Sequence, residues 1–243
     1  MAIVTGASRG LGRAMAVALA EAGADVALAA RARAELEETA RLVAATGRRA
    51  LPVPTDVTDY AQVDILVRRA VAELGGLHVV VNNSGIARVA PVAEMSPEDF
   101  RATLDVNLVG VFHGCRAAAA HLIAQKSGKI INVASVLGQV GLPGYSAYAA
   151  SKSGVMGFTR ALATEWARHG IQVNALAPGW FVTDMNADAF GDARVRERLL
   201  RDVPLRRTGR LEEIGPLAVY LAAPASDFMT GQTLFLDGGH SAA

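Results

Sequence analysis

The chain has 243 residues, of which 51% are hydrophobic and 19% are charged, and its formal net charge is +1. This length fits one α/β domain, and the apolar content excludes an intrinsically disordered chain. Because a charge so close to zero creates no field that would attract nucleic acid or an anionic membrane, we expect neither as a partner.

Short apolar runs alternate with longer segments of helical periodicity along the whole chain. The predicted strands are residues 2–4, 26–29, 50–53, 79–81, 130–133, 171–176 and 233–236. The predicted helices are residues 11–22, 33–45, 61–74, 97–124 and 147–168. Continuous apolar strands separated by helices predict a doubly wound parallel sheet of about seven strands, with helices on both faces and residues 1–243 in a single domain.

A glycine-rich segment follows the first predicted strand. Glycines let the backbone approach a pyrophosphate, and the N-terminus of the next helix offers free N–H groups to it. The segment therefore predicts a phosphate-binding turn, although a tight structural turn has the same pattern. The residues assigned to cofactor contact here are Gly6, Ser8, Arg9, Gly10, Leu11 and Gly12.

A tyrosine and a lysine, Tyr148 and Lys152, are spaced i, i+4 in the fifth predicted helix, so their side chains share one face. A nearby ammonium favours the phenolate and lowers the pKa of a tyrosine from about 10. The pair thus indicates a tyrosine that acts as a general acid and base. Taken alone, the same spacing also occurs in ordinary surface contacts.

These motifs, together with four others, occur in the order found in the short-chain dehydrogenases/reductases, and the chain resembles that family over nearly its whole length. The four others are Asn82-Asn83-Ser84-Gly85, Asn107, Ser135 and Pro178-Gly179. The resemblance implies a Rossmann-type fold and a homotetramer. It also implies an NAD(P)(H)-dependent oxidoreductase that interconverts a carbonyl and a secondary alcohol, with either 3-oxoacyl carrier-protein reductases or gluconate 5-dehydrogenases as the nearer group.

The resemblance also implies a role for each catalytic candidate. Tyr148 would be the acid/base, and Ser135 would orient and polarise the substrate oxygen. Asn107 would hold a proton-relay water, and Lys152 would also bind the nicotinamide ribose. This chemistry requires no metal, and the substrate would be a small carbonyl compound or alcohol.

Further cofactor contacts are implied after the other predicted strands. Asp56 would accept a hydrogen bond from the adenine amino group and Val57 would supply a backbone contact, while the nearby Asp59 suits a helix cap. The remaining residues assigned to the cofactor are Arg31, Asn82, Gly85, Pro178, Gly179 and Thr183.

The choice of cofactor depends on the end of the second predicted strand. Ala30 stands where NAD-preferring relatives place an aspartate, and Arg31 follows it. Arg31 and Arg9 together would attract the 2′-phosphate, so we expect a preference for NADP(H), with NAD(H) possible. The alternative is that Arg31 is a solvated residue and that Arg9 pairs with a carboxylate.

A polar stretch from residue 186 to 210 interrupts the alternation late in the chain. Since ligands bind beyond the carboxyl ends of parallel strands, we expect a substrate lid at about residues 184–210. Arginines recur in this stretch, either as a solvated helix face or as contacts for an anionic substrate group. They are Arg194, Arg196, Arg198, Arg201, Arg206, Arg207 and Arg210.

Cys115 is the only cysteine, which excludes an intrachain disulfide and favours a packing role within its helix. Together with the lack of a recognisable leader at the start of the sequence, it favours the cytoplasm. The alternatives are a catalytically silent dinucleotide sensor or scaffold and an epimerase-type enzyme. The intact Ser135, Tyr148 and Lys152 speak against the first, and the short stretch after Thr183 against the second.

Overall fold

Seven parallel strands form one sheet in the computed structural model, which describes residues 1–242. The strands are β1 (Ala2–Thr5), β2 (Val26–Ala30), β3 (Ala50–Pro54), β4 (Val79–Asn82), β5 (Gly128–Val133), β6 (Ile171–Pro178) and β7 (Thr233–Leu236). Their order across the sheet is β3-β2-β1-β4-β5-β6-β7. Every strand predicted from an apolar run is present, and the predicted doubly wound sheet is confirmed.

The helices lie on both faces of this sheet. They are α1 (Gly10–Glu21), α2 (Arg33–Ala45), α3 (Tyr60–Leu74), α4 (Pro97–Leu104), α5 (Gly110–Gln125), α6 (Ser146–Trp166), α7 (Ala187–Gly191), α8 (Ala193–Leu200) and α9 (Ile214–Ala222). A π-helical turn, Asp105–Val109, joins α4 to α5, so the long predicted helix is nearly continuous. Helices α7, α8 and α9 were not predicted.

Two apolar layers hold the helices to the sheet. On one face Met15 of α1, Leu36 of α2 and Ile214 of α9 pack against strand residues such as Val4. On the other face residues of α3, α5 and α6 pack against a second set of strand side chains. Because both faces are covered, the strands are apolar at consecutive positions rather than at alternate ones.

By length and composition alone, one helical segment among the described residues could cross a membrane. It is Pro97–Gln125, in which an 18-residue window reaches a mean hydropathy of 1.2. In the structure Val111, Cys115, Ala118 and Leu122 of this segment are buried against the sheet. A packed core helix passes the same test as a membrane span, so the segment is weak evidence for a membrane partner.

The strand order reverses between β1 and β4, which are neighbours although α1, β2, α2, β3 and α3 separate them in the chain. In such sheets a crevice opens at the carboxyl ends of the strands at this switch point. The segments that follow β1, β4 and β5 therefore meet at one edge of the sheet, and this edge carries the candidate site.

Polar side chains tie β4 and β5 to two helices inside the core. The Asn82 Nδ2 donates to Asn132 Oδ1 at 2.9 Å and lies 3.4 Å from Cys115 Sγ. The Asn132 Nδ2 donates in turn to Thr159 Oγ1 of α6 at 3.0 Å. Burial raises the pKa of the Cys115 thiol to about 12, so this cysteine stays protonated and packs as predicted.

The close approach of α5 to this network requires a glycine. A Cβ added at Gly114 would lie 2.0 Å from Asn82 Oδ1, and Asn82 cannot yield without breaking its buried hydrogen bond. We therefore expect Gly114→Ala to lower the free energy of unfolding by about 1–3 kcal/mol. Urea denaturation, followed by circular dichroism, measures this change.

Gly157→Ala is the matched control, because Gly157 also lies inside a helix but an added Cβ would meet no atom closer than 3.9 Å. This substitution should leave stability unchanged or raise it by up to about 1 kcal/mol through helix propensity. Equal stability of the two variants would contradict the packing argument at Gly114.

Candidate active site

The glycine turn lies between β1 and α1. Gly6 and Gly10 have φ angles of +63° and +54°, a region that side chains with a Cβ rarely adopt. A Cβ added at Gly12 would lie 2.1 Å from the Gly6 carbonyl oxygen. The turn therefore keeps its backbone exposed at the N-terminus of α1, where N–H groups and the helix dipole favour an anion.

Two residues to which sequence analysis assigns no role, Thr5 and Asn83, hold this turn against the end of β4. The Thr5 Oγ1 accepts hydrogen bonds from the backbone N–H groups of Asn83 and Ser84, at 2.9 Å and 3.1 Å. The Asn83 Nδ2 donates to the carbonyl oxygens of Thr5 and Gly6. These contacts join residues almost 80 positions apart, so no local sequence pattern predicts them.

Asn82 does not line the crevice, although sequence analysis places it with the cofactor contacts. Its side chain is 2% exposed and points into the core, where it binds Asn132. The reason is the strand period of two, which sends the side chains of consecutive residues to opposite faces. Asn83, one position later, is the residue that reaches the glycine turn.

The Arg9 side chain is held by two carboxylates. Its Nε lies 3.1 Å from Asp184 Oδ2, and its Nη1 lies 3.6 Å from Glu35 Oε2. The pairing that sequence analysis gives as the alternative for Arg9 is thus present. All three side chains are well exposed to solvent, so the pairs are individually weak.

Thr183 lies against the glycine turn, because a Cβ added at Gly10 would be 3.3 Å from Thr183 Cγ2. A further residue, Asn186, fixes the backbone here: its Oδ1 accepts from the Thr183 N–H at 2.8 Å, and its Nδ2 donates to the Phe181 carbonyl at 2.9 Å. Upstream, Gly179 leaves room for β7, since an added Cβ would lie 2.6 Å from Asp237 Cα.

The predicted adenosine residues follow the ends of β2 and β3. Asp56 Oδ1 accepts from the Thr58 N–H at 2.9 Å and from its hydroxyl at 2.8 Å. These hydrogen bonds, with a smaller contribution from the charge of Arg31, lower the pKa of Asp56, so the carboxylate is ionised. Asp59 caps α3 through the Ala61 N–H, which confirms the expectation for that residue.

Val57 is anchored from the opposite side of the crevice. The His113 Nδ1 lies 2.9 Å from the Val57 carbonyl oxygen, and a Cβ added at Gly110 would lie 2.8 Å from Val57 Cγ2. Both contacts come from α5. Helix α5 therefore sets the position of the loop that carries Asp56 and Val57.

Ser135 and Tyr148 come together at the carboxyl end of β5. Ser135 is 7% exposed, and its Oγ accepts a hydrogen bond from the Leu137 N–H at 3.2 Å. Burial raises the pKa of Tyr148 above its usual value, and the nearby Ser135 hydroxyl opposes this change. Sequence analysis expects Lys152 to lower that pKa, and this expectation is wrong in direction here because removal from water has the larger effect.

Lys152 lies beneath this pair. It is 3% exposed, its Nζ donates to the Val133 carbonyl oxygen at 2.7 Å, and it lies 5.7 Å from the centre of the Tyr148 ring. Burial lowers the pKa of Lys152 to about 8. The predicted i, i+4 neighbours do share one face of α6, although they are not hydrogen-bonded to each other in the described contacts.

Asn107 sits in the π-helical turn and closes the site from the side of α5. Its Oδ1 accepts from the Ile86 N–H at 2.8 Å, and its Nδ2 donates to the Ile86 carbonyl at 2.9 Å and to Ser151 Oγ at 3.0 Å. An added Cβ at Gly85 would lie 3.4 Å from Asn107 Oδ1 and 3.7 Å from Lys152 Nζ. Gly85, Asn107 and Lys152 are therefore neighbours.

The carboxyl edge of the sheet thus gathers most of the predicted residues. Asn107, Ser135, Tyr148 and Lys152 form one cluster, while the glycine turn and Thr183 lie together nearby. The residues that sequence reasoning missed, Thr5, Asn83, Ile86 and Asn186, all act through backbone groups or hold a backbone in place.

Comparison with known proteins gives concordant results. The family model described as enoyl-(acyl carrier protein) reductase matches residues 6–241. The chain is 39% identical to a 3-oxoacyl-[acyl-carrier-protein] reductase of Staphylococcus aureus, over 98% of this chain and 96% of the relative. It is 41% identical to a 3β-hydroxysteroid dehydrogenase of Eggerthella lenta, over 98% and 92%.

Among solved structures, a gluconate 5-dehydrogenase from Burkholderia cenocepacia, in complex with NADP and tartrate, superimposes with a TM-score of 0.95 at 40% identity. The match covers 100% of this chain and 95% of that one. The chain therefore belongs to the short-chain dehydrogenase/reductase family and is an NAD(P)-dependent oxidoreductase that acts on CH–OH groups.

Proposed function

We propose that this protein interconverts a ketone and a secondary alcohol with NADP(H), and that Tyr148 is its acid/base. The observation that carries the proposal is the meeting of Ser135, Tyr148 and Lys152 at the carboxyl end of β5, beside the glycine turn that follows β1. A dinucleotide sensor without turnover would have no use for a serine and a tyrosine gathered beside a buried lysine.

The residues present fit a dinucleotide. The glycine turn offers exposed N–H groups for a pyrophosphate, and the short distances around Gly85 leave a cradle that a Cβ would narrow. We assign the pyrophosphate to Gly6, Ser8 and residues 10–12, the adenine to Asp56 and Val57, and the nicotinamide half to Gly85, Lys152 and residues 178–183. When bound, the nicotinamide supplies or accepts the hydride.

Protons and charge are handled by the side chains of the protein. In ketone reduction the Tyr148 hydroxyl gives its proton to the developing alkoxide, while the Ser135 hydroxyl donates a hydrogen bond to the same oxygen. The raised pKa of Tyr148 suits a proton donor. The charge of Lys152, whose pKa is about 8, then stabilises the phenolate that remains.

Asn107 positions the backbone segments next to this site. Its side chain holds the Ile86 backbone at both its N–H and its carbonyl and also reaches Ser151, one residue before Lys152. Through these contacts it fixes α6 relative to the segment after β4. We keep the prediction that it also holds a water through which Lys152 restores the proton of Tyr148.

Residues 184–210 are proposed as the substrate lid. The segment leaves the sheet after β6 and returns at Gly209, whose N–H donates to the Trp180 carbonyl at 2.8 Å and which pairs with Phe181. Its inner side chains Phe190, Leu199, Leu200 and Val203 are buried. The two ends of the segment are thus held together, and its inner face is apolar. Both features suit a lid that opens and closes over a site.

We propose a preference for NADP(H) over NAD(H). No acidic side chain follows Ala30 to repel a 2′-phosphate, and Arg31 forms no ion pair with any residue in 1–242. Arg9 already carries two carboxylate partners, so Arg31 is the cation better able to bind the phosphate. The gluconate 5-dehydrogenase structure that resembles this one was solved with NADP.

We also propose a cytoplasmic homotetramer. Small residues line α5 and α6, among them Ala117, Ala119 and Ala149, and would allow helices of two subunits to approach closely. Phe112 of α5 is 43% exposed and offers apolar area to such an interface.

The first prediction tests the acid/base. Tyr148→Phe removes the titrating hydroxyl and little else, so we expect kcat to fall at least about 1000-fold while the Kd for NADPH changes less than about threefold. Lys152→Ala should lower kcat and also raise the Kd for NADPH. Absorbance at the NADPH band and fluorescence titration measure the two quantities.

Tyr220→Phe is the control, because Tyr220 lies on the surface of α9 and the same atom is removed far from Ser135. It should retain the activity of the unmodified protein. A Tyr148→Phe enzyme with near-normal turnover on a good ketone would show that the acid/base is another group.

The second prediction concerns the 2′-phosphate. Charge-assisted hydrogen bonds to a phosphate contribute roughly 1.5–3 kcal/mol, so Arg31→Ala should lower kcat/KM for NADPH by about 10- to 100-fold and leave that for NADH nearly unchanged. Arg41→Ala, which removes an equal charge from an exposed site on α2, should alter neither. A higher kcat/KM with NADH than with NADPH in the unmodified protein would refute the assignment.

The third prediction concerns assembly. Light scattering at micromolar concentration should give a mass of about four times the 25.3 kDa chain, because a two-fold interface on α5 and α6 joins two chains and the homotetramer that the resemblance implies joins two such pairs through a second two-fold interface. A monomeric mass would exclude this arrangement.

A further inference from the structure

The three segments that surround the reacting hydroxyls carry no charged side chain. Residues 84–87 follow β4, residues 134–151 follow β5 and extend to the residue before Lys152, and residues 175–183 form the end of β6 and its continuation. Lys152, which directly follows the second segment, places a cation next to Tyr148, but its ammonium is buried and donates to a backbone carbonyl.

Aromatic rings continue from the acid/base toward the lid. The Tyr145 ring lies edge-on to Tyr148, with centroids 6.3 Å apart, and edge-on to Trp180 at 6.4 Å. Trp180 in turn meets Phe190 of α7 at 5.7 Å. These four rings, Tyr145, Tyr148, Trp180 and Phe190, form a continuous aromatic wall that begins at the proton donor.

The surroundings of this aromatic wall are apolar as well. Val136 and Leu137 from the segment after Ser135 join Leu199, Leu200 and Val203 of the lid in one buried cluster with the wall. The seven arginines of the lid are all exposed to solvent, and Arg207 pairs with Glu213 at 2.8 Å. A substrate beneath the lid would thus meet hydrocarbon on several sides.

We propose that the substrate is an apolar, ring-shaped ketone or the matching secondary alcohol, and that Trp180 and Tyr145 determine this specificity. The inference rests on the proposed function, because it takes Tyr148 as the place where the carbonyl reacts. Flat or compact hydrocarbon rings pack against aromatic edges and bury area that water would otherwise cover.

A polyhydroxy acid does not match this site. Its carboxylate would give up hydration without meeting a cation, and its hydroxyls would face side chains that offer few hydrogen bonds. Such a loss is costly because unpaired polar groups keep the full penalty of leaving water. The lid arginines relieve it little, since all seven are exposed and water screens their attraction for a carboxylate.

Steady-state kinetics with NADPH test the proposal on three ketones of different chemistry. The compounds are decalone as the apolar bicyclic ketone, a ketogluconate as the polyhydroxy acid and butanone as a small ketone without a ring. We expect kcat/KM for decalone to exceed that for the ketogluconate by at least about 100-fold. A ketogluconate value equal to or above the decalone value would overturn the inference and leave the proposed function standing.

Variants of the aromatic wall give a second test. In Trp180→Ala the decalone-to-butanone ratio of kcat/KM should fall at least about tenfold, because the ring contact is lost, whereas Trp180→Phe keeps a ring and should stay within about threefold of the unmodified protein. Tyr145→Ala should lower the same ratio. A ratio that does not respond to either alanine variant would contradict the assigned roles.

The measured rates separate the proposed reaction from the proposed substrate class. If none of the three ketones is reduced although NADPH binds, the proposed function is wrong and this inference falls with it. If decalone and butanone are reduced with equal kcat/KM, the proposed reaction is right and the proposed substrate class is wrong.

Discussion

The pairing of β1 with β4 is the contact on which the site depends. Each strand is followed by a segment that carries backbone groups for a dinucleotide, and the parallel register places both segments at one edge. Thr5 then accepts hydrogen bonds from two N–H groups after β4, and Asn83 returns hydrogen bonds to the glycine turn. Without this pairing the turn would have no fixed position relative to the catalytic residues after β5.

Burial sets the proton chemistry of the site. It raises the pKa of Tyr148 and lowers the pKa of Lys152 to about 8, so the two pKa values move apart and Lys152 becomes the stronger proton donor. A lysine that gives up its proton more readily than the tyrosine can return a proton to the phenolate through a linking water. The same apolar surroundings that cause these shifts extend into the aromatic wall, so the environment that tunes the acid/base also favours an apolar substrate.

The electrostatics of the cofactor end follow a different pattern, because charges there are exposed. Arg9 joins the start of the lid at Asp184 to the start of α2 at Glu35, and a bound 2′-phosphate would compete with both carboxylates. Exposed ion pairs contribute little free energy, so such an exchange costs little. The proposed adenosine end and the proposed lid are therefore linked by contacts that can be rearranged, while the proposed catalytic cluster is linked by buried ones.

The sequence by itself determined the strands, the main helices and the shared helix face of Tyr148 and Lys152, because these depend on local signals. Apolar runs mark strands buried on both faces, and the Tyr148 to Lys152 spacing depends only on helix geometry. The family resemblance then supplied Ser135 and Asn107. The sequence pattern does not predict α7 and α8 because the polar stretch 186–210 hides their short apolar faces, and it does not predict α9, a short apolar helix that follows this stretch.

Only the tertiary structure decided which groups face one another. It turned Asn82 into the core, brought Asn83 to the glycine turn, reversed the expected pKa shift of Tyr148 and assembled Tyr145, Trp180 and Phe190 into one aromatic wall. Each of these results depends on contacts between residues far apart in the chain or on the amount of water excluded around a group. Neither quantity is encoded in a local pattern, because both arise only when the sheet and its helices have packed together.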